Sequence, residues 1–208
     1  MFRSIKLPIL LAFAGLVACS STPKESTPYG IETIAAGQGW LDPTPDLIVQ
    51  MEQRMEQMPW VHGVEGQVEM IQWWADKGEL AYSRLLLMAG DTRPQVSDLA
   101  LAALATTRDG RLVEPLRMIP WPAADQQDLM YSRARTHLRL GDWKYVSVLV
   151  DGLEDERLFA RAMCFKTLRG ATKLDHGFVP KAAMEARAPA VGRWREWVSA
   201  RSGDLLLK

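Results

Sequence analysis

The feature that most constrains the fold is an internal repeat, in which an aspartate is followed 13 residues later by a leucine. The pattern occurs three times, at Asp91 and Leu104, Asp125 and Leu138, and Asp155 and Leu168. Trp74 extends the leucine series toward the N-terminus, although Val61 replaces the aspartate there. A second apolar anchor follows 11 or 12 residues later, at Leu86, Leu116 and Leu149. Two anchors per repeat of about 30 residues indicate two helices per repeat, as in an α-solenoid.

The segment 155–170 shows the helix that each repeat encodes. Its apolar residues have the i, i+4, i+7 and i+10 spacing of one helix face, at Leu158, Ala162, Phe165 and Leu168. Asp155 stands where an N-cap belongs, because its carboxylate can accept hydrogen bonds from the first backbone N–H groups of a helix. A helix that is apolar on one side has to bury that side against a neighbour. We therefore predict an all-α fold of eight to eleven helices, with no β-sheet.

The repeat resembles the short HEAT-like repeats of bacterial proteins, in which an aspartate precedes one helix and a second helix returns beside it. The resemblance covers about residues 90–190. Arg161 lies where that family often has an arginine, whereas Tyr131 and Ser97 hold the matching positions in the other repeats. Tetratricopeptide repeats are the rival family, because the Leu-Gly-Asp-Trp segment 140–143 is similar to one of their helix junctions. Either resemblance implies an α-solenoid of helix pairs.

The C-terminal part of the chain resembles the closing segment of many bacterial HEAT-repeat proteins, in which a loop and a final helix cover the last repeat. Trp194 and Trp197 are three positions apart and share a helix face, so we expect them to pack inward. The neighbouring arginines are expected to face water, at Arg193, Arg195 and Arg201. We therefore predict a helical-repeat domain over residues 45–208, with a C-terminal cap at about 177–208.

The N-terminus has the pattern of a signal peptide. Two basic residues and no acid precede an apolar run at 7–18, which is too short to remain as a membrane-spanning helix. The run ends in Leu16-Val17-Ala18-Cys19, which resembles the lipobox of bacterial lipoproteins. The resemblance implies removal of residues 1–18 and lipidation of Cys19, whose thiol would receive a diacylglycerol and whose new amine would be acylated, with acyl chains such as palmitate. Several acyl chains give stable membrane anchoring.

The segment 19–44 is predicted to be a flexible tether, because it is rich in Ser, Thr, Pro and Gly and has no sustained periodicity. Its apolar residues Ile31, Ile34 and Trp40 are candidates for docking on the domain. Ser20 and Ser21 follow Cys19 in place of aspartate, which by resemblance implies an exported protein at the outer membrane, facing the periplasm, if the cell is Gram-negative. The first helix is predicted to begin at Thr44-Pro45-Asp46.

Charge and motifs exclude several classes of function. The chain has 25 basic and 25 acidic residues, so it lacks the basic surplus of a nucleic-acid-binding protein. None of the P-loop, G-x-S-x-G, H-E-x-x-H or C-x-x-C motifs is present. The three histidines are far apart in sequence, at His62, His137 and His176. We expect His137 to be a structural histidine, Cys164 to be a buried core thiol, and the protein to have no catalytic residues, metal or cofactor.

Three functional classes are compatible with these patterns. The favoured one is a lipid-anchored helical-repeat scaffold that binds or assembles another envelope protein, since stacked helix pairs form extended surfaces. The second is a structural lipoprotein that contacts the cell wall or glycans through some of its eight tryptophans. The third is an envelope enzyme with an unrecognised site. The sequence names no partner beyond the membrane itself, through the lipid on Cys19.

Overall fold

The computed structural model describes residues 39–201, and this part of the chain contains α-helices, short 3-10 helices and no strand. The α-helices in chain order are α1 (Pro45–Gln57), α2 (Val64–Ala75), α3 (Glu79–Ala89), α4 (Pro94–Thr107), α5 (Val113–Met118), α6 (Gln127–Arg139), α7 (Val146–Asp151), α8 (Leu158–Thr172) and α9 (Met184–Arg201). The 3-10 helices are Met58–Trp60, Gly110–Leu112 and Gly152–Glu154. The all-α prediction is therefore confirmed for residues 39–201. The predicted signal peptide, Cys19 and most of the tether lie outside the described residues.

The first helix begins as the sequence predicts. The Thr44 hydroxyl accepts a hydrogen bond from the Leu47 backbone N–H at 3.3 Å, with Pro45 at the first helical position and Asp46 in the first turn. Just before it, Trp40 packs edge-on against the ring of Tyr82, with centroids 5.3 Å apart. The end of the predicted tether is thus docked on the domain.

Helix α8 begins later than predicted, because Asp155 is not its N-cap. The helix starts at Leu158, and the N-cap is Arg157, whose backbone is extended. The Asp155 side chain instead accepts the Arg157 N–H at 2.8 Å, which closes a turn ahead of the helix. Asp91 and Asp125 also lie before the N-caps of α4 and α6. Asp91 accepts the Arg93 N–H at 2.8 Å in the same way, so Asp91 and Asp155 each close a turn ahead of a helix instead of capping it.

The buried face of α8 also differs from the predicted stripe. Leu158 is 42% exposed and Phe165 is only half-buried, whereas the buried apolar positions are Ala160, Cys164 and Leu168, at i, i+4 and i+8. The reason is that α8 contacts α6, α7 and the 3-10 helix Gly152–Glu154. These neighbours select a face that includes small residues, because small side chains allow close helix packing.

All the repeat anchors are buried, with 5% exposure or less, at Trp74, Leu86, Leu104, Leu116, Leu138, Leu149 and Leu168. Helices α2, α4, α6 and α8 contact one another in succession, and α3 and α7 pack beside them. The buried side chains form two clusters, one built mainly from α1 to α5 and one from α6 to α9. The period read from the sequence therefore identified core positions correctly.

The last helix packs on α7 and on the 3-10 helix Gly152–Glu154. Trp194 is fully buried and Trp197 is half-buried, as predicted, while the arginines predicted to face water are exposed. Arg187 on the same helix is buried, and its guanidinium donates to the Leu153 carbonyl at 3.0 Å. None of the helices between residues 39 and 201 is long and apolar enough to cross a membrane.

Candidate functional site

Two copies of one polar network lie at the entries to helices. The first copy consists of Glu79, Tyr82, Asp109 and Arg111, and the second of Asp128, Tyr131, Asp155 and Arg157. In both, the tyrosine O–H donates to the aspartate at 3.1 Å. The arginine donates to that aspartate through its side chain and its backbone N–H, and also to the acid three residues before the tyrosine. Each network therefore joins the start of one helix to a later turn.

Two similar polar segments of the sequence, distinct from the apolar repeat, encode these networks. Residues 79–84 read Glu-Leu-Ala-Tyr-Ser-Arg and residues 128–133 read Asp-Leu-Met-Tyr-Ser-Arg. Each is followed by an Asp-x-Arg triplet, at 109–111 and 155–157. These polar residues recur at a longer spacing than the apolar anchors, so they form a separate pattern in the sequence.

Both carboxylates of the second network are paired with the same guanidinium, that of Arg157. Hydrogen bonds from Arg157 hold the pKa of Asp155 below its usual value, and burial raises the pKa of Tyr131. An open depression of about 440 Å³ beside them is lined by further acids, Asp151, Glu154 and Glu156. Since the aspartate, the arginine and the tyrosine are partnered to one another, the network is suited to fixing α6 against the entry of α8, and it leaves no free acid–base pair.

A different polar network, centred on His137, is buried between α6 and its neighbours. His137 Nδ1 lies 2.9 Å from a carboxylate oxygen of Asp142, and both side chains are buried. Arg117 donates two hydrogen bonds to Asp142, at 2.8 and 2.9 Å, and the Lys144 backbone N–H donates another. Burial alone would raise the pKa of Asp142, but these donors outweigh it and lower that pKa. Asp142 is therefore ionised and accepts the N–H of a neutral His137.

Arg133 lies beside Nε2, the ring nitrogen of His137 that does not face Asp142. Its guanidinium donates to the backbone carbonyls of Leu116 and Ile119, the latter at 2.9 Å, and its Nε lies 3.4 Å from His137 Nε2. Burial and the positive charge of Arg133 lower the pKa of His137 to about 4. The ring of Tyr145 also packs against the His137 ring, with centroids 4.5 Å apart and the ring planes tilted by 46°. His137 is thus buried, enclosed by these side chains and neutral at pH 7.

Cys164 is fully buried on α8, as predicted. Burial raises the pKa of its thiol to about 12, so the thiolate is scarcely populated at neutral pH. Its sulfur lies against Gly152, where even a Cβ atom would collide with it. The glycine therefore permits the close approach of α8 to the preceding 3-10 helix.

An exposed aromatic–apolar surface lies between the end of α1 and the start of α2. Trp60 is 76% exposed and Val64, four residues later, is 79% exposed. Trp60 also lines a depression of about 530 Å³ together with Val61 and polar side chains of α1. We call Trp60, Val61 and Val64 the Trp60 surface. Tryptophan is enriched among the residues that dominate the energy of protein interfaces, so this surface is a candidate for partner binding.

The remaining sequence candidates do not converge. His62 is exposed, and His176 packs edge-on against Trp194 with centroids 4.6 Å apart. Within residues 39–201, no three His, Cys, Asp or Glu side chains are placed to hold one metal ion. Comparisons of the chain with protein-family models, curated proteins and solved structures gave no significant match.

Proposed function

We propose that this protein is a lipoprotein anchored through Cys19 whose stacked helix pairs form a HEAT-like α-solenoid that binds another envelope protein. The proposal assigns it a scaffold role without catalysis. Export and anchoring rest on the Leu16-Val17-Ala18-Cys19 segment and the charged, apolar start before it. The solenoid assignment is supported by the successive contacts of α2, α4, α6 and α8, and by the burial of every repeat anchor.

The observation that carries the binding role is the Trp60 surface. A monomeric protein normally buries large aromatic side chains, yet Trp60 and Val64 are both more than three-quarters exposed. Central interface residues of this kind gain most of their binding energy when a partner excludes water from them. The polar side chains that line the adjoining depression are Gln53, Glu56 and Gln57, which would form a polar rim around the apolar contact.

We expect Cys19→Ala to release the protein from the membrane fraction, because the variant lacks the residue to which the lipid is attached. Cell fractionation with immunoblotting measures the distribution, and mass spectrometry of wild type measures the lipid on Cys19. Cys164→Ala is the control, since this thiol is buried. If wild type carries no lipid mass and the Cys19 variant stays with membranes, the anchoring proposal is wrong.

We further expect a photo-crosslinking residue at position 64 of the full chain to give one discrete protein adduct in cells. Trp60→Ala should reduce that adduct about tenfold or more, since a hot-spot tryptophan contributes at least about 2 kcal/mol to binding. The same probe at Phe159, which is 80% exposed on α8, is the matched control and should give no such adduct. Equal adducts at both positions, or an adduct that is insensitive to Trp60→Ala, would contradict this binding surface.

A further inference from the structure

A strongly basic groove lies at the C-terminal ends of α4, α6 and α8. A cavity of about 300 Å³ there is lined by Arg108, Arg139, Lys166 and Lys173, and an adjoining depression of about 480 Å³ shares both lysines and adds Arg169. Arg135 lies one helical turn before Arg139 on α6. We define the basic groove by these six cations.

The cations of the basic groove have no acidic partners in the described part of the chain. None of the ion pairs formed between residues 39 and 201 includes any of the six. They also repel one another: besides burial, the charges of Arg135 and Arg108 lower the pKa of Arg139. Because the whole chain has equal numbers of basic and acidic residues, this is a local surplus.

The negative ends of helix dipoles offset only part of the positive charge of the basic groove. Arg108 and Lys173 are the C-caps of α4 and α8, and Arg139 is the last residue of α6. Each helix C-terminus is equivalent to about half a negative charge, so three termini balance about 1.5 of the six positive charges. The Lys173 ammonium also donates to the Gly170 carbonyl at 2.9 Å, as expected of a capping residue. A net attraction for anions remains.

We propose that the basic groove binds the phosphate groups of anionic lipid headgroups in the membrane to which the chain is tethered. Four of the six cations are arginines, whose planar guanidinium groups bind phosphate through paired hydrogen bonds. The large apolar side chains that line the groove are Phe165, which is half-buried, and Leu138, which is buried; none of the large exposed apolar side chains found elsewhere between residues 39 and 201 lines it. A protein partner would need such anchors, whereas headgroups need cations. The choice of lipid rests on the proposed anchoring at Cys19.

The test uses mass spectrometry to measure how fast the amines of the protein, as isolated from cells, are labelled in micelles of a neutral detergent. Soluble dihexanoylphosphatidylglycerol should protect Lys166 and Lys173, and dihexanoylphosphatidylcholine should not. Lys181, an exposed lysine outside the groove, is the internal control. Each basic residue near a membrane surface changes affinity about fivefold. The double variant Arg135→Gln, Arg139→Gln should therefore need about 25-fold more anionic lipid for the same protection of the two lysines.

Three outcomes would overturn this inference. Equal protection by inorganic phosphate at the same concentration would make the groove a site for free phosphate. Protection by a poly-glutamate peptide but not by the anionic lipid would assign it to an acidic protein. No protection by any probe would leave it without a ligand. Because the micelle keeps the protein in solution whether or not Cys19 attaches it to a membrane, these results are independent of the anchoring test.

Discussion

We expect Trp194→Ala to lower the free energy of unfolding by about 3 to 5 kcal/mol, the usual effect of truncating a buried tryptophan to alanine. Trp194 is fully buried in the second core cluster, where its ring packs edge-on against His176 at 4.6 Å and against Trp197 at 5.9 Å. A domain is stable by only about 5 to 15 kcal/mol in total. The substitution should therefore remove a large share of the stability.

Trp60→Ala is the matched control for this prediction, because it removes the same side chain from an exposed position. We expect it to change stability by about 0.5 kcal/mol or less. Denaturant unfolding followed by circular dichroism gives both values, with an unchanged slope showing that the folded state is equally compact. The proposed cap would be rejected if Trp194→Ala unfolded at the same denaturant concentration as Trp60→Ala.

This comparison also separates structural from binding tryptophans. Trp194→Phe should cost less than Trp194→Ala, since phenylalanine keeps most of the buried ring. It also removes an indole N–H that has no hydrogen-bond partner among the described residues, and a buried unpaired donor is costly. A small loss for phenylalanine and a large one for alanine would identify packing as the role of this residue.

The core could be predicted from the sequence because burial imposes a period on a stacked helical fold. The anchors at Leu104, Leu138 and Leu168 recur at nearly constant spacing, and all three are buried. The role of Asp155 could not be read in the same way. An aspartate can cap a helix or close a turn ahead of it, and which occurs depends on the backbone of the next two residues. Here it closes a turn at Arg157.

The candidate sites were less predictable than the core. The basic groove combines residues from three helices, so its charge appears only when Arg108, Arg139 and Lys173 are placed after consecutive repeat anchors. These cations lie four, one and five residues after their anchors, and this irregular spacing hides the pattern. The exposure of Trp60 could not be predicted from the sequence either, because an apolar residue beside a helix start is usually a core residue. Tertiary packing decides both features.

We expect the protein to lose stability as the pH falls from about 6.5 to about 4, through the titration of His137. Its pKa is lowered to about 4 by burial and by the charge of Arg133, whereas the ordinary value is 6.5. Between these values the unfolded chain binds a proton that the folded chain does not, so stability rises with pH. A pKa lowered from 6.5 to about 4 corresponds to about 3 kcal/mol of stability.

The carboxylates titrate in a lower window and so do not obscure this effect. The pKa of Asp142 is held below its ordinary value of 3.8 by its hydrogen bonds, as is that of Asp155. For such groups, stability is present above the unfolded pKa and is lost only as the pH falls through the folded one. The slope between pH 4.5 and 6.5 therefore reports mainly on the histidine.

His137→Asn isolates the effect, because its amide can still donate to Asp142 but does not titrate. Denaturant unfolding between pH 4.5 and 7.5 should show a flatter stability curve for this variant than for wild type. Trp60→Ala, which removes an exposed side chain without a titratable group, should retain the wild-type slope. If wild type and His137→Asn had the same slope, the histidine would not be held neutral, and the enclosure by Arg133, Asp142 and Tyr145 would not exist in solution. A flatter curve for His137→Asn alone would mean that protonation of this buried histidine limits stability in mild acid.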